Sequence, residues 1–444
     1  MRRAVKRRVN RQDHRQVNRR ARVVHIISDT NLGGAGRYLL NLLGAFDRGQ
    51  WELEVICPLN PVLATECQRL GIKVHVLPQL TGDCSFSWKN FRVLFGFLRS
   101  LHKEQPIDIV HTHATFAGRL AARLAGAQCV VYTRHRTDWE APRRGWRGKV
   151  YRLLNRLTSD GVVAISGAVR DALREEGVPA ERIALICNGI DAASFRARAE
   201  EEVRRLLSGS AGAAPRARGG DLQVEDCSGQ GCSGCDYPER EFLAGEFSGL
   251  WRCIWEKKQA GCPVVGAAAR LEKEKGLHVF LKAMRQLAEE FPEALFLIVG
   301  DGSQAEELRC LSRELGLGER VFFAGFQQEV GGWLALMDIV AVPSLSEAFG
   351  FSLLEAMALG KPCVASAVGG IKEIAEDGRT ALLVSPGDAA ALAEKAGCLL
   401  RSPAEAAALG RQAAAVVEQR FSARTMAEQM GAFYRLLLCG GAGV

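Results

Sequence analysis

Short apolar runs rich in β-branched residues alternate along this chain with amphipathic helical stretches, and the alternation occurs twice. Candidate strands lie at 23–27, 53–57, 73–77, 108–112, 129–133 and 161–165, with helical patterns between them at 35–46, 61–70, 115–125 and 168–177. A strand that is apolar throughout must be covered on both faces, and intervening helices supply that cover. The pattern restarts at 263–269 and runs through 295–300, 320–325, 338–343, 362–366 and 381–385, with helices at 276–290 and 304–315. Helical segments at 403–419 and 424–438 follow. The expected fold class is therefore α/β, with two doubly wound Rossmann-like domains facing across a cleft. In such sheets ligands sit beyond the carboxyl ends of the strands. The expected organisation is a basic disordered arm (1–22), a first domain (23–190), a linker and first helix of the second domain (191–207), a Cys-rich insertion (208–262), a second domain (263–424) and a helix with its tail (425–444).

Composition excludes several other classes. Apolar residues make up 48% and charged residues 24%, which rules out wholesale disorder. No apolar run approaches the ~18 residues of a membrane-spanning helix. Fourteen cysteines scattered behind no apolar leader point to a reducing cytosol, so the expected location is the cytoplasm, free or peripheral on the inner face of the plasma membrane. The net charge of +8 is concentrated in residues 1–22, which hold ten Lys/Arg and one Asp. The remainder is close to neutral, so the overall charge is no argument for nucleic acid. The arm suits attraction to anionic lipid.

Three loops carry the chemistry. Gly33, Gly34 and Gly36 lie at the turn from the first strand into a helix, where backbone N–H groups and a helix N-terminus can cradle a phosphate. The loop is neither GxxxxGK[ST] nor GxGxxG. Arg270 and Lys275 follow the first strand of the second domain, and a guanidinium fork with an ammonium suits a diphosphate. In PSLSEAFGFSLLEAMALGKPCVAS, Glu347 lies in a strand-end loop and Glu355 inside the following helix. A carboxylate accepts two hydroxyls at once, so the pair can grip sugar hydroxyls. Phe349 and Gly350 put backbone N–H groups at the helix start between them.

Together these segments resemble a GT-B glycosyltransferase of family 4. The resemblance rests on GGAGRYLLNL, HTHATFAGRLAARLAG, ISGAVRD with VICNGID, ARLEKEKG, VGDGS, and SEAFGFSLLEAMALGKPCVAS followed by VGGIKEI, over 23–196 and 263–438. It implies that the first domain binds the acceptor and the second the donor. It also implies a retaining, metal-independent transfer from a nucleotide-diphosphate sugar, with no cofactor required. By the same resemblance Arg270 and Lys275 bind the donor diphosphate, Glu347 contacts the donor sugar near its reacting face, and Glu355 holds the ribose hydroxyls. Gly33 and Gly34 approach the phosphates or the acceptor, and His135 lies near the reacting centre. His111 and His113 are expected at least as readily to be satisfied imidazoles at a strand end. The sequence contains no Asp-x-Asp, in line with metal-independent transfer. One departure is Lys372 before Glu373, where the family commonly has Pro.

Cys227, Cys232, Cys235 and Cys253 read C-x4-C-x2-C-x17-C, a spacing that opens like plant-type [2Fe–2S] ligands and equally suits structural zinc, with Cys262 an alternative ligand. Thiols that bind nothing are the plainer expectation. The stretch 133–152 holds seven Lys/Arg and two Trp, which suits an anionic membrane or a lipid diphosphate. The acceptor is thus expected to be a cell-surface glycan, a lipid-linked molecule or a small molecule, with no nucleic-acid partner. The competing readings are a non-catalytic nucleotide-sugar sensor with a metal or redox insertion, and a nucleotide-sugar epimerase of the same fold.

Overall fold

The computed structural model describes residues 19–28, 33–81, 86–113, 115–137, 145–208 and 247–440. The first sheet holds β1 (Ala21–Ile27), β2 (Trp51–Cys57), β3 (Lys73–Val76), β4 (Ile109–His113), β5 (Cys129–Arg134), β6 (Gly161–Ala164) and β7 (Ile183–Leu185). The second holds β8 (Val264–Ala268), β9 (Leu295–Val299), β10 (Val321–Phe323), β11 (Ile339–Val342), β12 (Cys363–Ser366) and β13 (Leu382–Val384). Their orders are β3-β2-β1-β4-β5-β6-β7 and β10-β9-β8-β11-β12-β13. The central pairings are parallel, Val23 opposite Ile109 in one sheet and Val264 opposite Leu295 in the other. Strand order reverses between β1 and β4 and again between β8 and β11, and ligand crevices of open α/β sheets form at such reversals. The glycine turn follows β1, Lys275 follows β8 and Glu347 follows β11, so both crevices carry expected site residues.

The carboxyl ends of the two sheets face one another. Ser166, after β6, donates its hydroxyl to the Ala348 carbonyl after β11 at 2.5 Å. Glu373, after β12, accepts from the backbone N–H groups of Gly167 and Ala168 at 2.7 and 3.1 Å, across the helix start Gly167–Glu175.

Two expected boundaries need correction. The first concerns the basic arm, which does not extend to residue 22. β1 begins at Ala21, and the Arg22 side chain is only 2% exposed. Its Nε donates to Glu54 at 2.6 Å, its Nη1 to the Leu101 carbonyl at 3.2 Å, and its backbone N–H to Asp108 at 2.7 Å. A charge count assigns this arginine to the solvated arm because charge alone cannot reveal a buried partner. Arg22→Leu leaves Glu54 buried without its guanidinium, a loss of about 3 kcal/mol, which a urea unfolding curve reads as a lowered midpoint at unchanged slope.

The second correction concerns the insertion. Its last part is the helix Phe247–Gln259, which belongs to the second domain. Trp251 is fully buried, donates Nε1–H to the Gly332 carbonyl at 3.2 Å and stacks on Trp255. Cys253 is exposed on this helix and Cys262 is partly buried, whereas Cys227, Cys232 and Cys235 lie outside the described residues.

The C-terminal helix, expected as a segment of its own, is Ala423–Leu438, and it packs on the first domain. Phe46 stacks on Tyr434, Trp51 meets it edge-on, and Phe433 fills the space over Gly161, where a Cβ would come within 2.4 Å of its ring. It completes the first domain. The sequence pattern also missed the helices Trp88–Glu104 and Gly145–Thr158 and the strand β7.

Candidate functional site

Three helices that begin at the cleft start on glycines and lack a capping side chain. They are Gly34–Ala45 on Gly33, Leu277–Glu290 on Gly276 and Phe351–Ala358 on Gly350. Elsewhere Asn60, Ser87, Thr115, Asp388 and Ser422 cap helices with their own oxygens. An uncapped start leaves N–H groups and a positive partial charge for an incoming anion. Gly33 has an ordinary φ of −86°, and a Cβ built there would meet no atom of the described residues within 4 Å. Among the described residues, neither backbone strain nor packing demands glycine at this position. Gly350 differs: its φ of +113° is the left-handed region that favours glycine. A Cβ built on Gly34 would lie 3.8 Å from the Phe351 ring, so two of these helix starts adjoin across the cleft.

Lys275 and Glu347 meet at 2.6 Å, with 18% and 14% of their side chains exposed. Ser344 donates to the same carboxylate oxygen at 3.3 Å, and the Leu345 N–H donates to the Glu274 carbonyl, bracing one loop on the other. Arg270 stands apart from this pair. It is largely exposed and donates to Glu274 at 3.1 Å. Glu355 is buried, and Arg37 of the helix Gly34–Ala45 reaches across the cleft to its carboxylate. The two border a crevice of about 1060 Å³ that continues past Asn41, Gln50 and Arg69 to Arg435, and neither Lys275 nor Glu347 lines it. The Phe349 ring is buried against Phe351 and Phe421, so only its backbone is open to a donor role.

His135 follows β5 and meets the Tyr38 ring edge-on at 5.0 Å, one turn into the glycine-started helix. His111 and His113 are buried and fully bonded. His111 contacts the Tyr434 hydroxyl and Thr133 Oγ1, and His113 contacts His25 and His135. Burial pushes His25 and His135 down to about 3, and His111 and His113 well below the ordinary imidazole value.

Sequence reasoning missed Arg37, His25 and the Ser166 and Glu373 contacts. Arg37 was within reach, since it lies four residues beyond Gly33 and so on the same helix face. Ser166 and Glu373 act through partners in the opposite domain, which local pattern does not show. Glu373→Ala removes both acceptors from the helix start, a cap of about 1 kcal/mol. Small-angle scattering of the donor-free variant should then show a broader distribution of interdomain distances than the parent. An identical distribution would mean that this contact does not hold the domains together.

This constellation can receive a diphosphate and hold sugar hydroxyls. The family described as "Glycosyltransferase Family 4" matches residues 32–194, and that described as "Glycosyl transferases group 1" matches residues 256–416. The chain belongs to the family-4 glycosyltransferases. It transfers a sugar from a nucleotide sugar, and its architecture is GT-B. This glycosyltransferase is 25% identical over 359 residues to UDP-Gal:alpha-D-GlcNAc-diphosphoundecaprenol alpha-1,3-galactosyltransferase of Escherichia coli, spanning 79% of this chain and 80% of that one. It is 36% identical over 137 residues to 2-deoxystreptamine glucosyltransferase of Streptomyces kanamyceticus, a match covering 30% of this chain and 35% of the relative. Among solved structures, HepE of Anabaena in complex with UDP and glucose superposes with a TM-score of 0.69 at 23% identity, over 93% of this chain and 99% of the other. No helix among the described residues is long and apolar enough to cross a membrane.

Proposed function

We propose that the enzyme is a retaining, metal-independent hexosyltransferase that uses a uridine-diphosphate sugar and delivers the sugar to a lipid-linked acceptor. The observation that carries the reading is the pairing of Lys275 with Glu347 beside glycine-started helix ends. Leaving-group departure breaks the bond from sugar C1 to the β-phosphate oxygen, and the electron pair stays on that oxygen. Lys275, with Arg270 able to swing from its exposed position, stabilises the new charge together with the N–H groups behind Gly33, Gly276 and Gly350. Glu347 holds the sugar hydroxyls near the reacting face, Glu355 holds the ribose hydroxyls, and His135 lies near the reacting centre. The acceptor hydroxyl attacks C1 on the face the diphosphate leaves, and its proton passes to the departing phosphate oxygen. The uridine donor is supported by the names of the E. coli relative and the HepE complex.

A lipid-linked acceptor fits the first domain's surface. The helix Gly145–Thr158 exposes Trp146, Leu153 and Leu157 by 71%, 55% and 59%, within a stretch that contains no acidic residue. Such a face suits a peripheral position on anionic lipid. Vesicles of phosphatidylglycerol should sediment the protein, vesicles of phosphatidylcholine much less, and Trp146→Ala with Leu157→Ala should abolish the difference. Equal sedimentation by both vesicle types would remove this support.

The direct test incubates the protein with a panel of nucleotide sugars in EDTA and follows release of nucleoside diphosphate. Release from a uridine sugar, lost in Glu347→Ala and Lys275→Ala, is the expected result. Dependence on an added divalent ion would overturn the metal-independent reading, and an inverted anomeric signal in the product would overturn retention.

A further inference from the structure

Three imidazoles stand in series at the carboxyl ends of β1, β4 and β5. His25 Nδ1 lies 3.2 Å from His113 Nε2, and His113 Nδ1 lies 3.2 Å from His135 Nε2. His25 and His113 are 0% and 1% exposed, and His25 Nε2 is buried with no hydrogen-bond partner among the described residues. Among the described residues, the rings packed round the row are Tyr38, which meets His113 and His135 edge-on, and His111, whose nitrogens are engaged by Tyr434 and Thr133. Among the described residues no carboxylate takes part in these contacts.

A neutral imidazole carries one ring proton, and one nitrogen donates while the other accepts. For three neutral rings joined by two hydrogen bonds, only two arrangements are self-consistent. Either every ring is protonated on Nδ1, or every ring is protonated on Nε2. Any mixture sets two lone pairs or two N–H groups against each other at one junction. His135 therefore cannot change tautomer without His113 and His25 changing with it. At the far end of the row, His25 Nε2 has no partner among the described residues to which a proton could pass.

We propose that His113 and His25 are positioning residues that hold His135 in a single tautomer, so that His135 serves transfer as a neutral hydrogen-bonding group of fixed direction and not as an acid or base. The proposal rests on the placement of His135 at the reacting face. His113 ties the tautomer of His135 to its own, and His25 extends the coupling so that reversal is a three-ring event. The nitrogen that His113 leaves unused, His135 Nδ1, is the one available to a substrate oxygen. Burial keeps the rings neutral at physiological pH.

The test uses the full chain with 15N-labelled histidine. Two-bond proton–nitrogen correlation spectra read each ring's tautomer, and single His→Phe variants assign the signals. The expected result is one tautomer shared by His25, His113 and His135, unchanged between about pH 5 and 8. His113→Phe keeps a ring in the core but removes both hydrogen bonds. It should give His135 a mixed tautomer signal and lower kcat roughly tenfold, with the donor KM within about twofold. Different tautomers along the parent row, titration of His135 in that pH range, or a His113→Phe variant with unaltered His135 signals would each overturn the proposal. The parent spectrum decides the coupling even if His113→Phe does not fold. A shared tautomer combined with full turnover by His135→Phe would instead overturn the placement of His135 at the reacting face, leaving the coupled row intact but without a part in transfer.

Discussion

Lys275→Ala is expected to lower kcat for sugar transfer by roughly 10³-fold, with a much smaller change in donor KM. Charge grows on the leaving diphosphate only as the bond to C1 breaks, so a cation that meets it acts mainly in the transition state. Lys275 is already in place before any donor arrives, held 2.6 Å from Glu347 in a largely buried setting. The variant also deprives Glu347 of its counter-ion, and the two effects must be separated. A cycle of Lys275→Ala, Glu347→Gln and the double variant does so: residues acting as a unit are strongly non-additive, and the double variant should be little worse than Lys275→Ala alone. Lys275→Arg should recover part of the rate, limited by the poor match of a planar fork to a site shaped for an ammonium. A fall of less than about fivefold with a large rise in KM would confine Lys275 to ground-state binding.

The second large effect is acid sensitivity. The folded chain holds His25 and His135 down at about 3 by burial, against an ordinary imidazole value of 6.5. A depressed folded value means that the unfolded chain takes up protons which the folded chain refuses. Their contribution is fully present above pH 6.5 and is lost as pH falls from 6.5 toward 3. By about pH 5 each ring has cost on the order of 2 kcal/mol, and His111 and His113 move in the same direction. Glu202 opposes this trend. Burial raises it to about 7, so acidification below 7 favours the fold through this one group. The shift is smaller than that of either depressed histidine, and several rings act together, so the histidines win. Unfolding free energies from urea titrations at stepped pH should fall steeply below about pH 6.5, and His25→Phe should reduce the slope by close to one proton. An unchanged slope in that variant would show that His25 titrates alike in both states.

Much of this architecture was legible in the sequence because apolar strands and amphipathic helices are local signals. Among the described residues, twelve of the thirteen strands lie in runs that read as strands, and β7, only Ile183–Leu185, is too short to stand out. The Lys275 and Glu347 loops were legible because each follows a strand that must lie at a sheet centre. The structure joins them directly and leaves Arg270 with Glu274, a choice of partner that spacing cannot make. Glu355 was recognisable as a buried helical carboxylate, but its partner Arg37 comes from the other domain. The row of histidines was hidden for a related reason. His25 reads as one polar interruption of an apolar strand, and only the parallel register that sets it beside His111 brings the imidazoles together. Arg22 and Trp251 were misassigned because composition placed them in a charged arm and a flexible insertion, while their burial depends on Glu54 and Gly332 far along the chain.

The return of the helix Ala423–Leu438 to the first domain has a consequence for how the protein is made. Tyr434 reaches His111 across 323 positions of sequence. The sheet that leaves the ribosome first therefore keeps Phe46, Trp51 and the flank at Gly161 uncovered while the whole second domain is synthesised and folds. The domain begun earliest is the one finished last, and throughout that interval its exposed aromatic face needs shelter from neighbouring nascent chains.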